Sequence, residues 1–106
     1  INFKSTLENY QLDDNYTISE VKAKPEFYGK TLSTLDSIDK YRLTLITIIR
    51  KREKKNLIGK KSIVKETIGR PTPDTVILEN DILVVYGYNK DIETYCLGQE
   101  EHQIRS

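Results

Sequence analysis

Few residues in this chain are suited to covalent or metal chemistry. His102 and Cys96 are the only histidine and the only cysteine. A site of imidazole and thiolate donors needs three or four of them, so zinc-type ligation is not expected. Cys96 falls on the apolar face of a predicted helix, where a free thiol packs as a small hydrophobe. No GxSxG or HExxH motif is present. The glycines (29, 59, 69, 87 and 98) stand alone and mark turns, so they build no phosphate cradle. No nucleophile has an activating neighbour and no acid/base pair can be named. The sequence therefore predicts neither an enzyme nor a bound cofactor.

What remains is non-covalent recognition. Asp36 and Asp39 are three apart on a predicted helix and can face one side. They read as a polar rim, or as a place for a cation or a ligand hydrogen bond. Arg50, Lys51, Arg52, Lys54, Lys55, Lys60 and Lys61 form a basic cluster, read as a solvated hairpin arm or an anion-binding one. RNA binding there would want aromatic residues for stacking, and none occurs between Tyr41 and Tyr86. In Gly69-Arg70-Pro71-Thr72-Pro73-Asp74 the two prolines stiffen an extended backbone. A rigid loop carrying Arg70 can support a flat ligand, or simply join two strands.

These residues need a scaffold. Residues 1–14 read as an arm leading in from a preceding domain, with Leu7, Tyr10 and Leu12 spaced for one helical turn. Alternation from Tyr16 to Lys24 predicts a strand that Pro25 ends. Thr31 can cap a helix whose apolar stripe is Leu32, Leu35 and Ile38. Leu43–Ile49 is apolar on both faces, which predicts a central strand covered on both sides. Ser62–Ile68 returns as a weaker strand, and Ile82–Tyr86 is the last one, stopped by Gly87. Asn89 can cap a short helix presenting Ile92, Tyr95 and Cys96 and ending at Gly98, followed by a flexible tail over 99–106. The result is an α+β domain over residues 15–98: a small, mostly antiparallel sheet with two short helices, in the order strand, helix, strands, helix.

Composition narrows the class. The net charge is +1, so no global field draws the chain to nucleic acid. A single cysteine gives no internal disulfide, and no apolar run approaches a bilayer span. The chain starts Ile1-Asn2-Phe3 and holds no methionine, as expected of a piece of a longer protein. At 106 residues, folding hides roughly 60–65% of the unfolded surface. Such a thin core favours a covering partner, and a two-fold homodimer is the commonest one.

The ordered series Tyr16-Thr-Ile-Ser-Glu-Val-Lys-Ala23, Phe27-Tyr-Gly-Lys-Thr-Leu32, Leu35-Asp36, Lys40-Tyr41, Pro71-Thr-Pro-Asp-Thr-Val-Ile77 and Asn80-Asp-Ile-Leu-Val-Val85 resembles a known family. It is similar to the TrkA-C domains that form the C-terminal half of RCK regulatory proteins. Those proteins serve Trk/Ktr-type potassium uptake systems, some channels and cation/proton antiporters. The resemblance spans residues 12–96. It implies a cytoplasmic regulatory domain at the inner face of the membrane, homodimeric, set in a larger ring and gating a membrane cation transporter. It also implies a small ligand at the two-fold interface; in several Gram-positive relatives this is cyclic di-AMP. Carried across, the ligand residues are Leu32 at the helix start, the triplet Asp36, Ser37 and Ile38, and Pro71 or Pro73. Where those relatives have an apolar residue and an arginine, this chain has Ser37 and Ile38, leaving Arg42 and Arg70 as the phosphate candidates. The rival expectations are an assembly module that binds nothing small and a basic-hairpin domain for anions or nucleic acid.

Overall fold

A computed structural model of the chain describes residues 6–35 and 37–105. Its strands are β1 (Thr6–Gln11), β2 (Tyr16–Lys22), β3 (Thr44–Lys55), β4 (Lys61–Thr67) and β5 (Ile82–Tyr88). They form a single five-stranded sheet in the order β1-β2-β5-β3-β4, and every neighbouring pair is antiparallel. Two helices, α1 (Ser37–Lys40) and α2 (Asn89–Arg105), complete a small α+β fold.

One face of the sheet is buried. Cross-strand register sets Val21, Leu83 and Ile48 in one row and Ser19, Val85 and Leu45 in the next. α2 lies over β2 and β5 and brings down Ile92, Tyr95 and Cys96. Phe27, Leu35, Ile38, Leu43 and Ile77, from the connecting segments, close the same core. Two polar residues on this face are satisfied. Ser19 Oγ donates to Asn9 Oδ1 at 2.7 Å, and Thr17 Oγ1 donates to Asn89 Oδ1 at 2.6 Å.

Several expectations are corrected. The helical turn read from Leu7 and Tyr10 is the edge strand β1, because pairing with β2 satisfies its backbone. The helix expected from Thr31 is broken into a 3-10 turn at Leu32–Thr34 and the single turn α1, with Leu35 extended between them. The Thr31 hydroxyl accepts no capping hydrogen bond; its backbone pairs with Val76 instead. Of its stripe, Leu35 and Ile38 are buried in the chain's own core, and Leu32 is half-buried against it. Among the described residues β3 is covered by the helical layer on one face only, and Ile46 is 42% exposed. β5 does not stop at Gly87. A Cβ there would lie 2.5 Å from Leu43 Cδ2, so glycine lets the strand pass the Arg42–Leu43 turn. The backbone of α2 continues beyond Gly98 to Arg105, since one interior glycine costs only about 1 kcal/mol.

A buried carboxylate fixes the loop before β5. Asp81 accepts from Arg50 Nε and Nη2, both at 2.8 Å, and from the Leu78 N–H at 2.8 Å. Arg50 Nη2 also donates to the Val76 carbonyl at 2.9 Å. The bond to Asp81 raises the guanidinium's pKa above its ordinary value.

Tyr95 makes the fold sensitive to alkali. Burial pushes its hydroxyl far above the ordinary tyrosine range, and it donates to the Lys22 carbonyl at 2.7 Å. A backbone hydrogen bond at Lys24 opposes this shift but does not cancel it. The folded state thus keeps a proton that the unfolded state releases near pH ~10. Stability is intact below that pH and falls by about 1.4 kcal/mol per unit above it. Denaturant titrations at about pH 9 and about pH 11 should show this loss in the native chain and lack it in Tyr95→Phe. An identical alkaline loss in Tyr95→Phe would clear Tyr95 of responsibility.

Candidate functional site

The other face of the sheet has no helix over it among the described residues. Register places Tyr10, Ile18, Tyr86 and Thr44 in one row across it, with Tyr16 paired to Tyr88 beside them. Tyr16 stacks on Tyr86 with centroids 5.7 Å apart and planes 13° from parallel. It meets Tyr88 edge-on, also at 5.7 Å.

The end of this aromatic row is an open hollow of about 500 Å³. Tyr16, Tyr86 and Tyr88 form one wall. Arg42, Thr44 and Gly87 form the next, and Lys90 and Asp91 come from the first turn of α2. A Cβ on Gly87 would be in ordinary contact with the Arg42 carbonyl, at 3.7 Å, and would press on Leu43 Cδ2. The side chain of Asn89, expected only to cap, ties α2 to the β1–β2 turn: Nδ2 donates to the Asp14 carbonyl at 3.1 Å.

Arg42 sits in the left-handed region at φ 59°. Its N–H donates to the Asp39 carbonyl at 2.9 Å, which ends α1 tightly. Neither Arg42 nor Lys90 forms an ion pair with a carboxylate among the described residues. The lining therefore offers two cations and one carboxylate, Asp91, beside three phenol rings. Such a surface can stack a flat ring and hold an anionic group next to it.

Within one chain, the described residues expected to bind a ligand lie at more than one place. Arg42 lines the hollow. Leu32 and Pro73 meet elsewhere: the Leu32 N–H donates to Thr75 O and the Ser33 N–H to Pro73 O, both at 3.0 Å. Pro71 and Arg70 belong to that same loop, which begins at Gly69, whose carbonyl accepts from Thr47 Oγ1 at 2.6 Å. Ile38 is buried in the core at 9% exposure. Asp36 lies outside the described residues, and Asp39 is exposed. Tyr16, Tyr86, Tyr88 and Lys90 were not foreseen. The i, i+2 spacing of Tyr86 and Tyr88 marks one strand face, but nothing in the sequence pairs that face with Tyr16.

Among the described residues no group of three His, Cys, Asp or Glu could hold a metal, and no helix is long and apolar enough to cross a membrane. No family model and no curated protein matches the chain.

Proposed function

We propose that this chain is a non-catalytic regulatory domain that reads a small anionic ligand carrying a flat ring, with cyclic di-AMP the first candidate. The ligand lies in the hollow between Tyr16, Tyr86, Arg42 and Lys90, and a second copy of the chain closes it. The observation that carries this reading is the meeting of three tyrosine rings with two cations, neither ion-paired among the described residues, around one open space. An open hollow holds a ligand on one side only, so a two-fold partner would supply the missing wall. Control then follows if the ligand prefers one arrangement of the pair over another. The resemblance to TrkA-C domains supplies the remaining step, in which the pair gates a cation transporter in the membrane.

Calorimetry with a panel of cyclic dinucleotides, alongside sedimentation of the chain at high micromolar concentration, tests this. Heat with cyclic di-AMP and a dimer are expected. Silence across the panel with a dimer present would leave an assembly module instead, and a monomer at every concentration would end the pairing claim.

A further inference from the structure

We propose that the β3–β4 hairpin is a docking arm for the surface of an anionic phospholipid bilayer. β5 accompanies β3 only as far as Ile49↔Ile82. From there β3 and β4 run on as a two-stranded ribbon to Lys55↔Lys61, reaching about 20 Å past the end of β5.

The tip is built to present apolar side chains. Asn56 Oδ1 accepts the N–H groups of Ile58 at 3.0 Å and Lys60 at 2.9 Å. The Gly59 N–H donates to the Asn56 carbonyl at 3.0 Å, with Gly59 at φ +82°. This turn holds Leu57 and Ile58 outward, 107% and 87% exposed. Turns that face water favour polar residues, and nothing else in the described chain covers these two.

Behind the tip stands a collar of lysines. Register sets Lys55 directly opposite Lys61 and Lys51 directly opposite Lys65, on the same face as Ile63. Like charges across an antiparallel pair destabilise it. Glu53 answers Lys61 and Glu66 answers Arg52, each at 3.3 Å. Lys51, Lys54, Lys55, Lys60 and Lys65 have no carboxylate partner among the described residues. A negative surface would relieve that repulsion. Lysines at the level of the lipid phosphates, with Leu57 and Ile58 in the acyl boundary beyond them, satisfy both features together. Nucleic acid would explain the lysines but not the apolar tip, and the arm offers no aromatic ring for stacking. A protein interface needs about 800 Å² per partner, more than two side chains provide.

The proposal does not depend on the ligand hollow: a chain indifferent to every cyclic dinucleotide can still bind vesicles. Cosedimentation with phosphatidylcholine–phosphatidylglycerol vesicles, against pure phosphatidylcholine vesicles and against single-stranded RNA, is the test. The native chain should bind the anionic vesicles far better than the neutral ones. Leu57→Asp with Ile58→Asp should weaken that binding by about a hundredfold. Lys54→Gln, Lys55→Gln and Lys60→Gln together should do the same, at roughly fivefold per lysine. All these side chains are exposed, so circular dichroism should find both variants folded. No sedimentation with anionic vesicles, or full binding by the Leu57/Ile58 variant, overturns the proposal. So does RNA binding stronger than vesicle binding.

Discussion

Replacing Arg50 with methionine should cost about 3–5 kcal/mol, because it strands a charge that has no access to water. The Asp81 side chain is 0% exposed, whereas that of Arg50 is 28% exposed. The two ends of the pair are therefore unequal. Without Arg50, the Asp81 carboxylate keeps only the Leu78 N–H as a partner among the described residues and must bear its own desolvation. In Asp81→Asn the guanidinium can turn towards solvent, and an amide oxygen remains to accept the Leu78 N–H. Asp81→Asn should therefore cost less, about 1–3 kcal/mol. A domain of this size has about 5–10 kcal/mol in hand, within the ordinary range of about 5–15, so the arginine variant should melt at least ~12 °C lower. Pairing Arg50→Met with Asp81→Leu should recover a good part of the loss, since an apolar pair leaves no buried charge behind. Thermal and denaturant unfolding of the three variants measures this. An Arg50→Met chain within about 1 kcal/mol of the native one would show that the carboxylate finds water after all.

That clamp also shows where reading the sequence reached its limit. The strands at Tyr16, Leu43, Ser62 and Ile82 were legible because alternation, β-branching and turn residues all act locally. The α+β class followed from their order. Arg50 looked like the first member of a solvated basic run, and Asp81 like part of a turn. They are 31 positions apart in sequence, and no local pattern joins them. The first helix failed for a similar reason. Spacing gave Leu32, Leu35 and Ile38 a helical stripe, but the backbone of that segment bonds to the 73–77 loop, and that tertiary pairing overrides a weak helical preference. Gly87 carried an ambiguous signal: a stop where a strand ends, or a close approach where another chain segment crosses. Only the contact with Leu43 decides between them. The tyrosine wall needed register across β2 and β5, which a single sequence does not carry.

Arg42 should give opposite results in two measurements. An arginine at φ 59° carries a steric cost that glycine does not. Arg42→Gly removes that cost and adds chain entropy to the unfolded state. The first effect is about 1–2 kcal/mol and the second about 0.5–1, so the variant should be as stable as the native chain or up to about 1 kcal/mol more stable. Arg42 is exposed and has no ion pair among the described residues, so the fold loses no charge contact there. Ligand binding should move the other way. Removing a charge-assisted contact costs about 1.5–3 kcal/mol, which is roughly 10- to 150-fold in affinity. Arg42→Lys keeps the charge without the planar fork and should fall between the two. The combination separates a binding role from a structural one, because a residue that only ended α1 would lose no affinity on becoming glycine. A strained arginine beside three tyrosines makes sense if the strain is tolerated for the sake of the contact it provides. If Arg42→Gly left cyclic di-AMP affinity unchanged, the hollow would be merely a dent beside the sheet.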